Sequence, residues 1–243
     1  MLKIEKTETY GWEAAIRGMR NPMNSWAKSD SEQKYYGGDS YKGVFKIGDN
    51  DLNLMKRLRN AGTDHRKYLR MITVYCDITA PLYWWKEFDT YKVGTVANSC
   101  STMHKIQAKE FTIDDFSHEH LAENQDQDSD NDRLVAEPYA DDEHYTYFKY
   151  ATTIWPKDLL ELTIEGLNKY RSAYLETKDK KYWWQMIQLL PSSYNQKRTV
   201  MLNYEVLANM YKSRKNHKLN EWHTLCDWIK TLPYSELITG EEE

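Results

Sequence analysis

Twelve of the thirty-one residues from 114 to 144 are Asp or Glu, and Arg133 is the one Lys or Arg among them. A block of like charge repels itself and has little apolar surface to bury, so no hydrophobic core can run unbroken through this chain. The rest of the sequence must supply the core, and it is rich enough to do so: 40% of the 243 residues are hydrophobic and 14% are aromatic. That is material for one substantial core, which excludes fibrous and fully disordered chains. We expect a single domain over residues 1–243, with 114–144 as a mobile acidic surface insertion that folding does not need.

Around the insertion, the patterning alternates between strands and helices. Residues 1–60 open on an extended stretch, pass through a mixed segment from Gly11 to Ser29, and reach the glycine-rich Tyr35-Tyr36-Gly37-Gly38-Asp39. Those glycines lack phosphate-cradle spacing, so a flexible connection is expected. Asp51 is placed to cap a helix with Leu52, Met55 and Leu58 on one side and Gly62 at its end. Residues 69–78 are rich in β-branched and aromatic types and read as a strand closed by Pro81, followed by a helix from Leu82 to Asp89. Order is expected to return at Tyr145. Beyond it, helices are expected over Lys157–Thr177 and Lys180–Leu190, a strand over Lys197–Asn203, and helices over Glu205–Ser213 and Leu219–Thr231.

Charge and cysteine usage narrow the function. The net charge of −4 argues against a nonspecific grip on nucleic acid, which needs a basic footprint. No apolar run approaches the roughly 20 residues that span a bilayer, and Met1-Leu2-Lys3-Ile4-Glu5-Lys6 lacks a signal peptide's apolar stretch. A cytoplasmic protein without membrane contact is expected. Cys76, Cys100 and Cys226 fit neither a disulfide framework nor a zinc ribbon.

Candidate chemistry is scattered. Asp126, Asp128, Asp130, Asp132 and Glu137 have the spacing of a calcium loop, but Asn131 stands where the sharp turn wants glycine and Pro138 obstructs the exiting helix. A solvated acidic loop is the stronger reading, and no metal site is expected. Cys100 could be a nucleophile, although no feature supplies its base, and a small buried thiol is favoured. Trp84, Trp85, Trp183 and Trp184 suit a core or a subunit interface. In the C-terminal third, Asn209 and Arg214 fall about 140° apart on one helix, while His217 and Glu221 are four apart and would share a face of the next. Arg214 could make a forked contact to phosphate, or join a surface ladder with Lys215, Lys218 and Glu221.

These residues resemble the flavin-dependent thymidylate synthases. The similarity runs from Leu190-Pro191 through Asn203, Asn209 and Arg214, and a one-residue deletion then pairs His217 and Glu221 with the family's His and Glu. Residues 65–106 are similar too, including Ile78-Thr79-Ala80-Pro81, with His65 where the family has a flavin-contacting histidine. The resemblance implies an α+β fold with a central antiparallel sheet flanked by helices, and sites formed between subunits of a homotetramer. It also implies FAD against His65, Asn203, Asn209 and His217, and a deoxyuridylate (dUMP) held by Arg214. Folate and NADPH are implied as further cofactors, the reduced flavin supplying hydride while folate supplies carbon.

The family signature is largely replaced. Thr90-Tyr91-Lys92 stands where the family has Arg-His-Arg, and Cys100 and Thr102-Met103 stand at its later positions, so Lys92 is the cation retained there as a second nucleotide contact. Uncharged Gln185 to Gln188 replace another arginine, and Glu205 replaces a third. Each lost charged hydrogen bond weakens anion binding by about 1.5–3 kcal/mol. The expected function is that of a diverged relative binding a uridine-type nucleotide and FAD between subunits and modifying the pyrimidine at C5. The alternative is a noncatalytic nucleotide-binding or protein-interaction module on the same fold.

Overall fold

The computed structural model describes residues 2–35, 43–123, 134–136 and 152–240. In chain order the elements are β1 (Lys3–Tyr10), α1 (Trp12–Arg20), β2 (Glu32–Tyr35), β3 (Gly43–Lys46), α2 (Asp49–Asn60), β4 (Thr73–Pro81), α3 (Leu82–Phe88) and β5 (Val96–Ser99). There follow β6 (Leu134–Ala136), β7 (Thr152–Ile154), α4 (Pro156–Thr177), α5 (Lys180–Leu189), β8 (Asn195–Asn203), α6 (Tyr204–Arg214), α7 (Asn220–Lys230) and α8 (Glu236–Thr239). The fold is α+β. Its central sheet has the order β1-β4-β8-β5, with β1 antiparallel to β4 and β5 antiparallel to β8. Among the described residues no helix is long and apolar enough to cross a membrane.

Two compact units are distinguished. The larger comprises Leu2–Ala80, Trp84–Ser99 and Lys197–Glu243 and contains the central sheet. Strand β4 supplies Val74, Ile78 and Ala80 to its core, and α6 and α7 add Leu207, Met210, Leu225 and Ile229. Trp84 and Trp85 are fully buried here, with Trp84 centred 4.9 Å from Trp222 and 5.1 Å from Phe88. That aromatic pair belongs to the unit's own core and not to a subunit interface.

The smaller unit comprises Pro81–Tyr83 and Cys100–Gln196. Helices α4 and α5 are joined by Lys178, which takes the left-handed conformation at φ 57°, and by Asp179, whose side chain caps α5 through the Lys181 amide at 2.9 Å. Leu160, Ile164 and Leu167 bury one stripe of α4 against Ile106, Phe111, Phe116 and Met186. Asn168 fastens this packing by bonding both the amide and the carbonyl of Phe111 at 2.9 Å. Ile113–Asp115 form a single 3-10 turn, so the start of the acidic stretch delivers Phe116 to the core. Residues 124–133 and 137–144, Gly37 to Asp39, the start of order at Tyr145 and all five carboxylates of the calcium-like spacing lie outside the described residues.

Several local expectations need correction. Asp51 is not the cap of α2, whose N-cap is Gly48; the Asp30 carboxylate, from the preceding segment, accepts from the Asn50 and Asp51 amides at 2.9 and 3.1 Å. Lys67–Met71 form a 3-10 helix, so the strand starts at Thr73, four residues later than its composition suggests; Tyr68 is buried with its hydroxyl donating to the Met55 carbonyl at 2.8 Å. Cys100 is exposed rather than buried. His217 precedes α7 and lies in the turn after α6, so it shares no helical face with Glu221.

Candidate functional site

The larger unit gathers several chemically versatile side chains around the last turn of α6. Arg214, at the C-terminal end of that helix, donates through Nε to the Tyr91 hydroxyl at 2.9 Å and through Nη1 to Glu87 Oε2 at 2.7 Å. Its guanidinium lies 4.5 Å from the centre of the Trp222 ring, within cation–π range. The same Glu87 oxygen accepts from Trp222 Nε1 at 2.8 Å, and His217 Nε2 stands 3.4 Å from it. The Leu219 amide donates to His217 Nδ1 at 3.2 Å, which assigns the ring proton to Nε2, facing the carboxylate. One carboxylate oxygen therefore accepts from an arginine and an indole, with an imidazole nitrogen 3.4 Å away.

Why these groups converge follows from local structure. Helix α3 buries Trp84, Trp85 and Phe88, which turns Glu87 toward α6 and α7. Tyr91 leads into a loop in which Gly94 has φ +80°, and a Cβ there would sit 2.2 Å from Asn203 Nδ2. Glycine is thus required for the loop to lie against Asn203. Asn203 is buried and caps α6, its Oδ1 accepting from the Val206 amide at 2.9 Å. Lys92, next to Tyr91, is exposed.

Residues at a second position are joined through Arg66. Its guanidinium pairs with Glu205 at 3.0 Å and donates to Asn209 Oδ1 at 3.1 Å, while His65 is its exposed neighbour in sequence. Glu205, standing where the resemblance leads one to expect a cation, is buried as the partner of one. Arg198 forms a third such pair, with Asp89 at 2.7 Å.

The structure thus associates Arg214 with His217, places Asn203 behind the loop that carries Lys92, and ties Asn209 to the residue following His65. It separates Arg214 from the imagined ladder with Glu221, because its ion pair is with Glu87. Glu87, Tyr91, Trp222 and Arg66 were not singled out from the sequence. The one available signal was a lone acid, Glu87, among the aromatics of α3. Burial pushes the Cys76 thiol up to about 12 and the Cys226 thiol to about 11, so neither is a nucleophile. Among the described residues no group of His, Cys, Asp and Glu has the arrangement of a metal site.

The chain has the fold of the flavin-dependent thymidylate synthases. Two structures of that enzyme from Helicobacter pylori, ThyX with FAD and dUMP, superpose with a TM-score of 0.62 at 15% and 16% identity, covering 98–99% of this chain and 98% of theirs. A UMP/dUMP methylase, PolB from Streptomyces cacaoi, bound with 5-Br dUMP, matches with a TM-score of 0.53 at 11% identity, over 99% of this chain and 95% of that one. Neither a protein-family model nor a curated protein sequence matches the chain.

Proposed function

We propose that this protein binds a uridine-type nucleotide and FAD at sites shared between the subunits of a homotetramer, and that it modifies the pyrimidine at C5. The supporting observation is the end-to-end fold match to proteins solved with dUMP, FAD or a brominated dUMP, taken with an arginine poised at the end of α6. Arg214 is the nucleotide contact, Tyr91 and Trp222 fix its guanidinium plane, and exposed Lys92 is a second cation. His65 and Asn209 offer an exposed imidazole and amide, whose chemistry fits the carbonyls and ring nitrogens of a flavin. Arg66 holds the Asn209 amide in place. Asn203 and His217 act from behind, through the α6 cap and the Glu87 carboxylate. Bound reduced flavin would supply hydride; the chain's own residues bind, orient and exclude water.

A noncatalytic reading draws on a specific observation too: Arg214 and Arg66 already hold carboxylates of this same chain. Calorimetric titration of dUMP into wild type and Arg214→Ala tests the nucleotide site. The variant should bind more weakly by roughly 2–4 kcal/mol, and its unfolding free energy should fall by at most about 1 kcal/mol, because the pair is partly exposed. Equal affinities in the two proteins would defeat the assignment of Arg214. Incubation with FAD, NADPH, methylenetetrahydrofolate and dUMP separates the two readings, since only the enzyme adds a one-carbon mass to the pyrimidine.

A further inference from the structure

We infer that Glu87 is an intrachain competitor for the anionic group of the ligand, and that it sets the protein's selectivity between phosphorylated and unphosphorylated nucleosides. The inference rests on the nucleotide-binding reading given above, and it assigns a role to a residue outside that site's list of contacts.

Arg214 can offer a ligand only the donors it is not already using. Nη1 is 2.7 Å from Glu87 and Nε is 2.9 Å from Tyr91, so each of the two edges on which a phosphate could fork, Nη1 with Nη2 and Nε with Nη2, already has one nitrogen engaged within the chain. The Glu87 oxygen also accepts from Trp222 Nε1 at 2.8 Å, and His217 Nε2 stands 3.4 Å from it. A phosphate that forks on the Nη1 and Nη2 edge of Arg214 must replace one charge-assisted bond by another, and it meets the negative charge of Glu87 while doing so. An uncharged sugar or base meets no such repulsion. The pair at Arg66 differs in kind: the Glu205 side chain is 9% exposed, against 35% for Glu87. Glu205 is locked in place, whereas Glu87 has solvent on one side and can swing out when an anion takes its place. Glu87 is therefore the exchangeable member, and it penalises dUMP relative to deoxyuridine.

The test is calorimetric titration of dUMP, 2′-deoxyuridine and inorganic pyrophosphate into wild type, Glu87→Gln and Glu87→Asp. Glutamine keeps an oxygen acceptor for Trp222 and Arg214 and removes only the charge. Glu87→Gln should bind dUMP about tenfold or more tighter than wild type, as expected for removing a competing charged partner, with deoxyuridine changed by less than about twofold. Pyrophosphate should gain as dUMP does. Combining Glu87→Gln with Arg214→Gln should erase the gain, which a merely structural role of Glu87 would not require. Should Glu87→Gln fail to fold, Glu87→Asp keeps the charge but shortens its reach, and a gain of about threefold for dUMP is expected. If the folded variants bind dUMP no better than wild type, or gain equally for deoxyuridine, the inference is overturned. If wild type binds dUMP and the Glu87 variants leave that unchanged, the nucleotide-binding reading survives without it; if no protein binds any of the three probes, both fall.

Discussion

Among the described residues Arg20 and Asp51 form the most enclosed ion pair of the larger unit, with Nε 2.6 Å from Oδ1 and side chains 4% and 0% exposed. Such a pair persists only if its remaining hydrogen-bonding capacity is met. Here it is: the Asp51 carboxylate also accepts from the hydroxyls of Ser29 and Ser31 and from the amides of Asp30 and Ser31, while Arg20 Nη1 and Nη2 reach the carbonyls of Ser25 and Lys28. The segment from Asn21 to Ser31 has two single 3-10 turns, Asn21–Met23 and Trp26–Lys28, and no ladder, so these bonds hold it in place. Burial alone would raise the Asp51 carboxyl, but bonds from Ser31, Ser29 and Arg20, together with the Arg20 charge, hold it below the ordinary carboxylate value. A depressed pKa stabilises the fold above the unfolded value of about 3.9, and that contribution fades as the pH falls through the lower folded value. Asp51→Asn should therefore cost about 3–5 kcal/mol at pH 7, since it strands a buried guanidinium. Urea unfolding at pH 7 and at acid pH checks both claims: the gap between variant and wild type should narrow on acidification, and a gap independent of pH would contradict the linkage.

At the scale of elements, the helices follow the apolar period closely. Leu160, Ile164 and Leu167 recur at helical spacing, and α4 occupies Pro156–Thr177 where the sequence predicts 157–177. Helix α5 is similarly legible because Pro191 closes it, and α6 because Asn203 both ends β8 and caps the helix. Strand β5 was illegible for a physical reason: it is an edge strand whose four residues are all exposed, so no alternation is written into Val96-Ala97-Asn98-Ser99. The site divides in the same way. Arg214, Asn203 and His217 stand out by type and spacing within one short stretch, whereas Glu87 meets Arg214 and Trp222 across 127 and 135 residues, a separation to which no local pattern speaks. The cap and the core can be weighed separately. Asn203→Ala should cost about 1 kcal/mol, the usual loss of an N-cap, whereas Leu167→Ala, in the α4–α5 unit, should cost about 2–5 kcal/mol. Chemical denaturation ranks them, and a cap loss larger than the core loss would contradict the packing described for α4.

At the scale of the whole molecule, the question is what the fold is used for. Arg214, Arg66 and Arg198 already hold Glu87, Glu205 and Asp89, so an anionic ligand depends on exposed Lys92 and on exchange at Arg214. Several large apolar side chains of the smaller unit stand in solvent, among them Trp184 at 43% and Leu162 at 51% exposure. A surface of this kind suits burial in an oligomer. The proposed function requires a tetramer that carries flavin at shared sites. Its most direct test is size-exclusion chromatography with light scattering and visible absorbance, on protein incubated with excess FAD and then separated from it. Flavin absorbance should travel with a protein peak of four times 29.0 kDa, and added dUMP should perturb the bound flavin spectrum. A colourless peak at 29.0 kDa, with all FAD eluting as the free small molecule, would contradict it.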